Sequence, residues 1–207
     1  PDHAYQACRN AIDFVTNRSG AKTVVGRIPF RIDDDSDIID PIMSAINEKT
    51  VLAMIDTVSS PTGIRMPFEK LVEMIQERGV DVLVDAAHGP GNVPLDVDKL
   101  NASYITGNCH KWICTPKGSA FLHIREDKRD GVKPLVIGHG HSSELAPNEK
   151  FRLEFDWTGT RDPSPWLCIP HAIKHVGSMV HGGWTEIMER NRLMAIFGRD
   201  LICEALD

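Results

Sequence analysis

The chain has 207 residues, 42% of them hydrophobic, and a formal net charge of −6. This is enough apolar material for one substantial core, while the acidic balance and the absence of a basic run argue against a nucleic-acid partner. No apolar stretch approaches the roughly 18 residues of a membrane span, and five scattered cysteines form neither a disulfide framework nor a zinc ribbon, so reduced thiols in a cytoplasmic protein are expected.

Apolar positions Ala7, Ala11, Ile12 and Val15 predict a helix from about Ala4 to Asn17, ending before Ser19-Gly20. Val24-Val25 begins a short expected strand, and Pro29 to Ile32 reads as an edge segment before the acidic turn 33–35. Ser36 is the expected N-cap of a helix through Ile46, with Pro41 early in it. Val51 to Ile55 is a near-continuous apolar strand, as in a parallel sheet covered on both faces. A loop over residues 59–63 leads to a helix from about Phe68 to Arg78, closed by Gly79. Strands are expected at residues 82–84, 102–105 and 120–124, then a looser Gly- and His-rich segment from about Gly138 to Phe155. Two helices close the chain, about Pro165 to Val180 and Thr185 to Leu206, separated by Gly182-Gly183.

This order predicts an α/β fold with an open, mostly parallel sheet, in which ligands gather at the carboxyl ends of the strands. Ser59-Ser60, Asp85 to His88 and Asn108 to Lys111 each follow an expected strand, so they share one edge. There, a carboxylate closing one buried strand and a lysine just past the next are what pyridoxal phosphate chemistry requires. The lysine holds the aldehyde as a Schiff base, and the aspartate keeps the pyridine nitrogen protonated so that the ring draws electrons. Lys111 and Asp85 are the candidates. Most lysines are simple surface groups and an aspartate after a strand is commonly a turn residue, so the pairing carries the reading. His88 is placed to approach the ring or its phenolic oxygen, while Ser60, Asn108 and His110 are short donors suited to phosphate or ring oxygen. His3 is a stacking candidate if the first helix points at the same edge.

Other signals are weaker. In Gly138-His139-Gly140-His141 no Cys or carboxylate cluster completes a metal site. His171 and His175, four apart, read as helix-face residues. Cys109 reads as a small residue packed behind the lysine turn, and Trp112, Trp157 and Trp166 as core or interface anchors.

The stretches Asp2-His3-Ala4-Tyr5, Ser59-Ser60-Pro61-Thr62-Gly63, Asp85-Ala86-Ala87-His88-Gly89-Pro90-Gly91, Thr106-Gly107-Asn108-Cys109-His110-Lys111-Trp112 and Asp156-Trp157-Thr158-Gly159-Thr160-Arg161-Asp162 occur in the order found in one family. The chain resembles the class V aminotransferase group of fold-type I pyridoxal phosphate enzymes, most of all its isopenicillin N epimerase-like members. The resemblance implies a three-layer α/β/α sandwich and pyridoxal 5'-phosphate as cofactor. It implies that His3 stacks on the ring, Asp85 pairs with the pyridine nitrogen and Lys111 carries the aldehyde. His88 stands where cysteine desulfurases have a glutamine near the phenolic oxygen, and Asn108 and His110 fall where the family binds phosphate. Thr160 matches a threonine that reaches the phosphate of the neighbouring subunit, which implies a homodimer with shared sites.

Two features depart from the pattern. Ser60 stands where desulfurases carry an asparagine. The family's Gly-Thr phosphate loop and its C-terminal small domain, with an arginine for the substrate carboxylate, have no counterpart in the sequence. Residues 1–207, opening on Pro1 rather than Met, are therefore expected to be the cofactor-binding large domain of a chain about twice as long. The expected activity is epimerase-like chemistry at the Cα amine of an amino acid. The alternatives are a C–S lyase or cysteine desulfurase on the same cofactor, or a non-catalytic protein on the same fold, which would stay colourless with added cofactor.

Overall fold

The fold is that of a computed structural model, which describes residues 1–206. Four strands form one sheet in the order β1 (Leu52–Asp56), β2 (Asp81–Ala86), β3 (Tyr104–Asn108) and β4 (Ala120–Ile124). The first three run parallel and β4 returns antiparallel to β3. The mostly parallel α/β arrangement expected from the sequence is therefore present.

The sheet separates chemistry by the two-residue period of its strands. Ile55, Val82, Val84 and Ile105 are fully buried on one face, in the core. The helix α3 (Phe68–Glu77) covers that face because Phe68, Leu71, Val72 and Ile75 fall on one stripe, and all four are buried. The helix α2 (Ser36–Ser44) adds Ile38, Ile39, Ile42 and Met43. Burial of each large side chain stabilises the fold by about 1.5–3 kcal/mol. The alternate residues Asp56, Asp85, Thr106 and Asn108 point to the other face, at the carboxyl ends of the three parallel strands.

Several local expectations are corrected. The helix α1 (Gln6–Ser19) begins and ends two residues later than expected, with Gly20 in the left-handed conformation as its cap. Residues 21–30 form no strand. They are held instead by single contacts to the chain start, Asp2 N–H to the Gly26 carbonyl at 3.1 Å and Ile28 N–H to Asp2 Oδ1 at 3.0 Å. Ser36 is not the cap of α2 but its first residue. Asp34 Oδ1 accepts from Ser36 N–H at 2.7 Å, and Asp37 Oδ2 accepts from Asp33 N–H at 2.8 Å. The Asp34 carboxylate thus takes the first free N–H of the helix, and Asp37 ties the preceding turn to it.

The segment expected to be loose contains a 3-10 turn (His139–Ser142) and the helix α5 (Pro147–Asp156). Pro147 suits a first helical position, where its missing N–H costs nothing. The Gly140 backbone lies so close to α5 that an added Cβ would stand 2.8 Å from the Glu154 nitrogen. The single helix expected from residue 165 is two, α6 (Ser164–Leu167) and α7 (Ile169–Gly177), because Pro170 has no N–H to continue the first. A short α4 (Val97–Leu100) precedes β3, and α8 (Gly183–Leu206) starts on Gly183 rather than after it. Trp112 and Trp157 are 39% and 49% exposed, so neither is a core anchor within this chain. Among the described residues no helix is long and apolar enough to cross a membrane.

Candidate active site

The lysine turn connects β3 to β4 and is closed at its base by one carbonyl. Ser119 O accepts from Cys109 N–H at 3.1 Å, from His110 N–H at 3.3 Å and from the His110 ring Nδ1 at 2.8 Å. The Ser119 hydroxyl bonds Thr115 Oγ1 and the Pro116 carbonyl, and Gly118 takes a φ of +96° to complete the reversal. Cys109 lies buried behind the turn, and burial pushes its thiol pKa up. Lys111 is thereby presented at the end of β3.

The loop after β2 presses against this turn. Gly91 has a φ of +81°, and a Cβ there would lie 2.9 Å from the Trp112 backbone carbonyl, so only glycine allows the approach. The result places His88 Nε2 3.0 Å from Lys111 Nζ. Trp112 Nε1–H donates to His88 Nδ1 at 3.2 Å. An uncharged imidazole that accepts at Nδ1 carries its proton on Nε2. In that tautomer Nε2–H faces Lys111 Nζ, the amine that would receive an aldehyde. Burial first, and the Lys111 charge second, lower the His88 pKa, which favours the uncharged ring.

Below these groups lies a cavity of about 210 Å³ lined by Ser60, Asp85, His88, Asn108 and Lys111, together with Asp56, Thr106, Tyr5 and Cys8. Asp85 is 8% exposed. Its Oδ1 accepts from Ala87 N–H at 2.9 Å, and its Oδ2 accepts from the Cys8 thiol at 3.5 Å. Burial and then Asp85 push the Cys8 thiol up to about 11, so it remains a donor. Asp56, the register partner of Asp85, is 3% exposed, and its Oδ2 has no partner. Burial and the charge of Asp85 push its carboxyl up to about 7.

Five of the eight candidate residues therefore meet around one cavity. The other three stand elsewhere. His3 bonds Thr62 Oγ1 at 2.9 Å, and Thr62 in turn bonds Ser59 Oγ at 2.7 Å, which ties His3 to the loop after β1. His110 faces its own turn. Thr160 lines a second cleft with Trp157, Ile137, His139 and His141. His141 lies in the 3-10 turn, 3.5 Å from the buried Glu154 carboxylate. Asp56 and Cys8 were not singled out from the sequence. For Asp56 the signal was available, since it closes the apolar run 51–55 as Asp85 closes 82–84. Cys8 had none, because only the docking of α1 brings it to the sheet edge.

The described donors fit a pyridoxal phosphate. The cavity holds a lysine amine to receive an aldehyde, a buried carboxylate for a ring nitrogen, an imidazole, and the hydroxyl and amide groups of Ser60 and Asn108.

The comparisons agree. Solved structures with the same fold include a NifS-like protein, with a TM-score of 0.71, 17% identity and coverage of 98% of this chain and 50% of the other. The cysteine desulfurase CsdA of Escherichia coli matches with a TM-score of 0.65 and 19% identity over 82% of this chain and 42% of the other. At higher identity, a putative L-cysteine desulfhydrase 1 of Oryza sativa subsp. japonica is 34% identical over 98% of the chain and 42% of its own length. An isopenicillin N epimerase of Amycolatopsis lactamdurans is 30% identical over 96% of the chain and 52% of its own length. The chain thus spans about half the length of these curated relatives. The family model described as aminotransferase class-V matches residues 3–195, and the chain belongs to that family.

Proposed function

We propose that the whole protein is a pyridoxal 5'-phosphate enzyme that removes the Cα proton of an amino acid. The observation that carries this reading is the Lys111–His88 contact above a cavity floored by Asp85. When bound, the cofactor supplies an electron-withdrawing ring for the pair of electrons left at Cα. Asp85 holds the ring nitrogen. Lys111 Nζ would hold the aldehyde, and the same amine is placed to take the Cα proton of a bound amino acid. His88 Nε2 orients Nζ and exchanges a proton with it. Trp112 fixes the His88 tautomer, and Ser60 and Asn108 offer hydrogen bonds to cofactor oxygens.

The first reading of the outcome is elimination of a thiol from cysteine or a related amino acid. Lys111 and His88 form one acid–base pair, so a proton taken at Cα can be passed to a departing thiolate nearby. The similarity to L-cysteine desulfhydrases supports it. Epimerisation is the second reading, supported by the similarity to isopenicillin N epimerases. It needs a proton delivered from the side opposite Lys111. Thr160 lies in a cleft apart from Lys111, which supports a homodimer in which each chain completes its partner's site.

Incubating the full-length holoenzyme with candidate amino acids in deuterated water tests the proposal, with Lys111→Ala as control. Sulfide with a keto acid is expected for elimination. Solvent deuterium at Cα of recovered substrate with inverted configuration establishes epimerisation instead. Undiminished activity and visible cofactor absorption in Lys111→Ala would refute both.

A further inference from the structure

Two carboxyl groups share the floor of the cavity, and one of them has no part in the chemistry above. Asp56 and Asp85 are register partners on adjacent parallel strands, so their side chains leave the sheet on the same face from backbones about 4.8 Å apart. Both are more than nine-tenths buried. Their bonding is unequal. Both Asp85 oxygens accept hydrogen bonds, from Ala87 N–H and from the Cys8 thiol, which suits an ionised carboxylate. Asp56 Oδ2 is buried without any partner. A bare charge on that oxygen is costly, and a proton on the group removes that cost. Two like charges side by side in a buried site add repulsion to that cost.

We propose that Asp56 keeps a proton near neutral pH beside the Asp85 carboxylate. Asp85 holds the charge and Asp56 the proton, so that Asp56 is a positioning residue for the carboxylate that meets the cofactor. The proposal rests on the assignment of Asp85 to the ring nitrogen. The titratable groups lining the cavity with Asp56 are Asp85 from β2, Cys8 from α1 and Tyr5 just before it, His88 from the loop after β2 and Lys111 from its turn. Burial and Asp85 push Asp56 up to about 7. Cys8, pushed up to about 11, remains a neutral donor to Asp85 and does not compete for the charge.

Infrared titration of the full-length protein, freed of cofactor, tests the Asp56 proton directly. The wild type should show the C=O stretch of a buried carboxylic acid that fades with a midpoint near 7, and Asp56→Asn should lack it. A wild-type spectrum without that band at pH 6, or a band unchanged in Asp56→Asn, overturns the proposal. Affinity for pyridoxal 5'-phosphate at pH 6 tests the positioning role. Asn retains a neutral donor of the same shape and should bind within about threefold of wild type, whereas Asp56→Ala should bind about tenfold more weakly. Equal weakening in the two variants overturns the proposal. Should the alanine variant not fold, an asparagine variant weakened tenfold does so alone. If no version binds pyridoxal phosphate while the band behaves as expected, the cofactor assignment falls and the Asp56 proton stands.

Discussion

Asp85 and Asp56 have the same side chain, nearly the same burial and neighbouring register positions, yet their hydrogen bonds make them different acids. That difference has a consequence for stability. The Asp56 pKa is raised in the folded state to about 7 from an ordinary value of 3.8. Between those values the folded chain binds more protons than the unfolded one, so stability is greatest below about pH 4 for this group and is lost as pH rises through 7. Asp56→Asn removes the ionisation. Urea denaturation of the full-length protein should find the variant more stable than wild type at pH 8, by a few kcal/mol at most, with the advantage gone near pH 4. A constant difference across that range would place the effect in packing instead. Asp85 was legible in the sequence because it closes an apolar run, and Lys111 because it lies just past the next strand. Asp56 carried the same mark as Asp85, but the pairing of the two required the strand register.

At the scale of elements, the site is made by two turns pressed together. The lysine turn owes its shape to contacts within residues 109–119, so its form was close to readable from Thr115, Pro116 and Gly118. Its meeting with the loop after β2 was not readable, because it depends on Gly91 lying against the Trp112 backbone. Gly91→Ala should therefore damage the site far more than its size suggests. The strain of a positive φ and the close backbone contact together should displace His88 from Lys111, weakening cofactor affinity tenfold or more, that is by about 1.4 kcal/mol or above. Fluorescence titration with the cofactor measures this, and wild-type affinity would show that the loop tolerates a methyl group. The helix α5 was missed for a related reason. Its own residues give only a weak apolar face, and the glycines and histidines before it read as loop, but Gly140 lets the 3-10 turn pack closely on it.

For the molecule as a whole, the sheet and the helices α2 and α3 form the core, while α8 carries exposed Leu193, Met194, Phe197, Leu201 and Ile202. Thr160 stands apart from the Lys111 cavity. If the proposed dimer shares its sites, variants defective at Lys111 and at Thr160 should complement one another. Mixed and reassembled full-length Lys111→Ala and Thr160→Val should regain about a quarter of wild-type activity, since half of the dimers then hold one intact site. No gain over the separate variants would show that each chain works alone.

The sequence by itself determined the α/β class, the parallel strands and the sheet edge bearing Asp85, His88 and Lys111. Those features follow from apolar periodicity and from residues placed at strand ends, which are local properties of the chain. Only the tertiary structure decided that Cys8 donates to Asp85, that Trp112 sets the His88 tautomer, and that Asp56 is buried beside Asp85 with an unpaired oxygen. Each depends on strand register or loop packing between residues far apart in the chain. Such contacts set protonation through burial and neighbouring charge, and neither is written in the spacing of residues along a sequence.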